Sequence, residues 1–150
     1  MPRLLVILTA ALWLAPPALA AGPSIANGGG HGTVDGTTPF SQFGFGVTES
    51  HDGSVQGSFN CLMAGVSEFP GFTLMAVRGQ VTNAVVGADA ASFDGIGMFQ
   101  TGNQGKSPAT FHAEVTAGGP GTGTLRLTLL TPFFFPLPTE HVLNGQITIH

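Results

Sequence analysis

Apolar residues recur at every second position in several segments of this chain, and no other feature of the sequence constrains the fold as strongly. The alternation is seen in segments 43–47, 55–63, 109–116, 124–131 and 141–150. Successive side chains of a β-strand point to opposite faces, so this pattern indicates strands with one buried and one exposed face. The chain is therefore predicted to be all-β.

Glycine- and proline-rich turns separate the alternating segments and divide the chain into about eight strands. The predicted strands are 30–35, 41–48, 54–64, 72–86, 91–100, 109–116, 124–131 and 141–150. Because every connection is short, we expect a small antiparallel up-and-down β-barrel, with a β-sandwich as the alternative. Asn144 and Gly145 also suit a tight hairpin turn, which would split the last strand.

The first twenty residues have the order of a cleaved secretory signal. Arg3 gives the N-terminus a positive charge, an apolar run covers 4–14, and Ala18-Leu19-Ala20 has the small residues that a signal peptidase requires. The apolar run is shorter than the roughly 20 residues that span a bilayer. We expect cleavage after Ala20, a flexible glycine-rich lead-in over 21–29, and one domain over 30–150 of a secreted protein with no membrane span.

Charged residues are scarce, at 8% of the chain. Loss of Arg3 with the signal leaves three cations against eight carboxylates. So few cations cannot neutralise a phosphate backbone, which argues against a nucleic-acid partner. The twelve phenylalanines and 43% hydrophobic content indicate a folded core despite 23 glycines. Cys61 is the single cysteine, so no intrachain disulfide forms, and we expect it to be a small buried apolar side chain.

Several glycine and aromatic motifs carry a resemblance to a known type of domain. They lie at 27–30, 43–45, 53–59, 91–95 and 143–150. With these motifs the chain resembles the post-COAP type of secreted bacterial β-domain over most of residues 27–150. It departs from that pattern at Ala117-Gly118-Gly119-Pro120-Gly121, where such domains have a D-N-G-x-P-G turn. The resemblance implies secretion and a β fold but no defined activity, so it assigns no functional residues.

One connection carries aromatic residues where loops are usually polar. Phe133, Phe134, Phe135 and Leu137 stand among prolines at 132–138, and alternation of loop ends in a meander places Phe69 and Phe72 beside them. Two interpretations remain open. The side chains cap the apolar interior, which we favour, or they form an exposed patch that contacts a ligand or partner.

Polar candidates for chemistry are few. Glu49, Asp52 and Asp89 fall in turns at one end of a meander, where carboxylates could bind calcium, although a polar hairpin turn is the simpler interpretation. His112 and Glu114 share the polar face of one strand. They are weak acid–base candidates that would need a cleft, and a solvated face is again the simpler interpretation.

Three functional hypotheses follow. The favoured one is a secreted, non-enzymatic domain for binding or surface interaction, because no catalytic motif or cofactor motif stands out. The second is a lipocalin-like carrier of a small apolar ligand, and the third is a barrel enzyme, an isomerase or hydrolase, that uses His112 with Glu114. The state of the interior separates them: a filled interior argues against a carrier, and an open, lined pocket argues for a carrier or an enzyme.

Overall fold

The computed structural model describes residues 22–64, 74–102 and 104–150, and the predicted signal peptide lies outside the described residues. The strands in chain order are β1 (Ser24–Thr33), β2 (Ser41–Glu49), β3 (Val55–Ala64), β4 (Leu74–Val86), β5 (Ala90–Thr101), β6 (Ser107–Thr116), β7 (Thr124–Thr131), β8 (Phe135–Pro136) and β9 (Glu140–Ile149). No helix that could cross a membrane occurs among the described residues.

All nine strands belong to one antiparallel sheet that closes on itself. Each strand from β1 to β7 pairs with the next along the chain, β7 pairs with β9, and β9 pairs with β1. The closed ring therefore has eight strands, and the two residues of β8 pair with Thr128 and Leu129 of β7, just beyond the part of β7 that pairs with β9. This confirms the predicted all-β, antiparallel meander of about eight strands.

The first strand starts earlier than the sequence indicated. Residues 24–29, predicted to be a flexible lead-in, pair with β2 from Ser24 opposite Glu49 to Gly29 opposite Gly44. The prediction was wrong because glycines have no side chains whose alternation could be read. Gly28 is required for packing, since a Cβ there would lie 2.8 Å from a ring carbon of Phe45 and 2.9 Å from the Ile147 side chain.

The ring closes at the seam between β7 and β9. These strands share only two residue pairs, Thr124 with His141 and Leu125 with Glu140. The glycine-rich β6–β7 connection extends the seam: the Val142 N–H donates to Gly123 O at 2.9 Å, and Gly118 and Ile147 exchange two bonds of 2.9 Å. Within the β6–β7 connection itself the backbone folds back closely, and a Cβ on Gly123 would collide with Gly118 O.

The last strand is continuous through Asn144 and Gly145, so the alternative hairpin turn is wrong. Opposite β1, the register shifts between His31 and Gly32, and Leu143 is the unpaired residue of a β-bulge. Gly145 adopts a φ of +98°, which only glycine adopts easily. The bulge changes which side chains face inward. After the bulge in the chain Ile147 is buried, and before it Val142, rather than Leu143, is buried.

Phenylalanine rings fill the middle of the ring. The ring centroids of Phe59 and Phe111 are 5.1 Å apart, and that of Phe93 is 5.7 Å from Phe59. Glycine at position 95 makes room for these rings, since a Cβ there would collide with the Phe111 ring. Cys61 is fully buried among the core residues, as predicted. The interior is thus occupied by side chains.

Candidate functional site

The aromatic loop, residues 132–138, connects β7 to β9 and is held against β7 by its backbone. Phe135 and Pro136 form β8, opposite Leu129 and Thr128. The Leu137 N–H then donates to Leu127 O at 2.9 Å. Pairing with a core strand fixes the loop in place, so its side chains are presented from a defined backbone.

Side chains of the aromatic loop divide between core and surface. Leu137 is buried in the core, and Phe135 packs partly buried against it. Phe133 is 40% exposed and meets Phe99 edge-to-face, with ring centroids 5.5 Å apart. Phe134 is 71% exposed. The two interpretations of this loop thus apply to different residues, because Leu137 caps the interior while Phe134 faces solvent.

Phe133 also borders a cavity of about 290 Å³ at the same end of the ring. Its lining also includes Phe99 and Thr101 of β5 and Gln104 and Gly105 of the β5–β6 connection. Phe69 and Phe72, predicted from the sequence to stand beside this loop, lie outside the described residues. An exposed aromatic side chain and a partly apolar cavity therefore adjoin each other here.

Sequence reasoning missed a buried polar cluster inside the ring. Glu140 is 1% exposed, and its Oε2 accepts a hydrogen bond from the Ser41 hydroxyl, while its Oε1 has no hydrogen-bond partner. Burial raises the pKa of Glu140 to about 7, and the Ser41 bond opposes part of that rise. Burial, reinforced by the Glu140 charge, raises the pKa of the Cys61 thiol. The thiol is therefore an inert core group rather than a nucleophile.

The sequence contains a spacing that could have predicted this buried cluster. Glu140 precedes Val142 by two residues, so whichever face buries Val142 also receives Glu140. The bulge at Leu143 made this spacing hard to recognise, because it reverses the inward–outward alternation between the two halves of β9. Room for the carboxylate comes from Gly32, where a Cβ would lie 2.0 Å from Glu140 Oε2.

The three calcium candidates lie in or beside connections at one end of the ring, as the meander predicts. The side chains of Glu49 and Asp52, however, accept hydrogen bonds from backbone N–H groups. Glu49 Oε2 accepts a bond of 3.1 Å from the Val86 N–H, and Asp52 Oδ1 accepts one of 2.9 Å from the Ser54 N–H. Bonds from Ser54 lower the pKa of Asp52. Asp89 is exposed, and its backbone carbonyl accepts from the Ala117 N–H at 2.8 Å. Across the described ranges, no three His, Cys, Asp or Glu residues are grouped as metal ligands.

His112 and Glu114 point to the same outer face of β6, as predicted, but each has a partner on a neighbouring strand. His112 Nδ1 lies 2.7 Å from Asp94 Oδ1 on β5. Glu114 Oε2 lies 3.8 Å from Arg126 Nη1 on β7. An outer cleft of about 470 Å³ is lined by Glu114 and Arg126, with His112 one row of the sheet away. The geometry therefore gives two cross-strand pairs on an outer face.

Comparison with known proteins identifies no relative. The chain matches no family model, and neither a curated protein nor a solved structure shows significant similarity to it.

Proposed function

We propose that this chain is a secreted, non-enzymatic binding domain whose contact surface is the aromatic loop. The observation that carries the proposal is the 71% exposure of Phe134 on a loop whose neighbouring residues are anchored to the core. An exposed aromatic side chain held on a fixed backbone loses little conformational entropy when it enters a partner's apolar pocket. The signal-like N-terminus and the resemblance to post-COAP-type domains support export.

The two other hypotheses have less support. A carrier needs an interior volume for its ligand, and the interior of this ring is filled by packed side chains such as Phe59, Phe93 and Phe111. An enzyme that used His112 with Glu114 would need the two to act together, yet each pairs with a residue on a different strand. These observations favour a function carried by the surface.

The proposal is tested by comparing Phe134→Ser with Val85→Ser. Val85 is 65% exposed on β4, so it matches Phe134 as an apolar surface side chain in another part of the molecule. We expect Phe134→Ser to lose retention on phenyl-agarose while its melting temperature stays within about 2 °C of the wild type, as for other exposed substitutions. Val85→Ser should be retained like the wild type.

Leu137→Ser provides the opposite case, because Leu137 is buried. It should lower the free energy of unfolding by roughly 2–5 kcal/mol, since it removes apolar contacts and buries a hydroxyl. If Phe134→Ser instead melts as early as Leu137→Ser, or is retained as strongly as the wild type, Phe134 does not form a contact surface and the proposal is wrong.

A further inference from the structure

The outer face of β3, β4 and β5 carries a groove of about 250 Å³, separate from the aromatic loop. Its lining consists of Leu62, Ala76, Arg78, Met98, Gln100 and Lys106. These residues come from three neighbouring strands and from the end of the β5–β6 connection.

The strand register explains how the groove is formed. Leu62 lies opposite Ala76, which in turn lies opposite Gln100, so these residues form one row across the outer face. Arg78 and Met98 are paired in the next row. Lys106 precedes β6, at the end of the sheet towards Gln100. Leu62, Ala76 and Met98 thus form an apolar floor beside two cationic side chains.

Apolar side chains on an outer face are unusual in a sheet whose other face is already packed. Met98 is 39% exposed, and Leu62 and Ala76 are each partly exposed. Their neighbours Cys61, Met75 and Phe99 fill the inward positions, so among the described residues these three apolar side chains lie outside the core. The floor therefore has apolar surface that a ligand could cover.

Charge at the groove is opposite to that of the chain as a whole. The full sequence has four lysines and arginines against eight carboxylates, and two of those four cations line this groove. Within the described ranges, ion pairs join His112 to Asp94 and Arg126 to Glu114. Among the described residues, neither Arg78 nor Lys106 has a carboxylate within 4 Å, so an anion bound to them would not compete with an ion pair in that part of the chain.

We propose that this groove binds a small amphiphilic carboxylate, such as a medium-chain fatty acid anion. The carboxylate would pair with Arg78, whose planar guanidinium donates two parallel hydrogen bonds to such a group, and with Lys106 as a second charge. The alkyl chain would cover Met98, Ala76 and Leu62. A volume of about 250 Å³ suits a ligand of this size better than a larger lipid.

Methionine methyl resonances provide a direct test with octanoate as the probe. In protein labelled with ¹³C-methyl methionine, octanoate below its micelle concentration should shift Met98 in a saturable way and leave the buried Met63 and Met75 unchanged. Octanol, which lacks the charge, and acetate, which lacks the chain, should each bind at least about tenfold more weakly. High salt should weaken octanoate binding.

Substitution of the two cations tests whether their charges bind the carboxylate of octanoate. Arg78→Gln and Lys106→Gln should each weaken octanoate binding about tenfold. Arg126→Gln is the matched control, because it removes an outer-face cation that already pairs with Glu114. Phe134→Ser should leave octanoate binding unchanged, so a failure here is distinct from a failure of the aromatic-loop proposal. An unshifted Met98, equal binding of octanol, or an equal effect of Arg126→Gln would each overturn the inference.

Discussion

Replacing Glu140 by glutamine should change how stability depends on pH. Burial raises the pKa of Glu140 from 4.5 to about 7 in the folded chain. Between these values the folded state binds a proton that the unfolded state has released, so the stability that this group contributes falls as pH rises. The contribution is complete below about pH 4.5 and is lost by the time the pH has risen through 7.

The size of the effect follows from the shift. A change from 4.5 to about 7, at about 1.36 kcal/mol for each pKa unit, corresponds to about 3 kcal/mol between the two ends of this range. Glutamine keeps an oxygen that accepts from the Ser41 hydroxyl but carries no charge at any pH. Glu140→Gln should therefore become more stable relative to the wild type, by about 3 kcal/mol, between pH 4.5 and pH 8.

Urea denaturation of both proteins at several pH values measures this difference. Other titrating groups are common to the two proteins and cancel when the free energies of unfolding are subtracted. Glu114→Gln is the control, because it removes a carboxylate that is half exposed on the outer face of the sheet. Parallel profiles for the wild type and Glu140→Gln would refute a buried, proton-binding carboxylate.

Three further predictions concern other parts of the chain. Gly32→Ala should lower the free energy of unfolding by roughly 1–3 kcal/mol in urea denaturation, because its Cβ would meet the Glu140 carboxylate. Gly44→Ala is the control and should change the free energy of unfolding little, because a Cβ there would have nothing within 4 Å. Equal effects of the two substitutions would be evidence against the contact with Glu140. Cys61 should react with Ellman's reagent only after unfolding, and rapid reaction of the native protein would show that the thiol is accessible. Expression of the full sequence in a bacterial host should yield an exported product that mass spectrometry shows to begin at Ala21, and retention of Arg3 would contradict the predicted signal peptide.

Alternation predicted most of the strands because the inward positions of the ring are apolar and its outward positions are mostly polar. Segment 124–131 matches β7 residue for residue, and segment 41–48 falls one residue short of β2. Alternation predicted no strand where the side chains form no pattern. Along 27–30 the glycines and Asn27 show no alternation, although packing against Phe45 and Ile147 is what requires glycine at position 28.

The candidate functional residues were predictable to different degrees. The aromatic loop was found because phenylalanines in a connection conflict with the usual polarity of loops, but which of them faces solvent depends on the pairing of β8 with β7. Glu140 was missed because a carboxylate is expected to face water, and the Leu143 bulge obscured its inward position. The groove at Arg78 and Lys106 depends on strand register, which brings together residues distant in the sequence.

Fluorine NMR gives the most direct test of the claim that an apolar partner contacts the aromatic loop and not the interior. The mature chain would be labelled with 4-fluorophenylalanine, assigned with Phe134→Ser and similar variants, and titrated with benzyl alcohol as an apolar probe. We predict a saturable shift of the Phe134 resonance, while the resonances of the buried Phe59, Phe93 and Phe111 stay in place. Shifts of those three with Phe134 unmoved would contradict the proposal and indicate a ligand inside the ring.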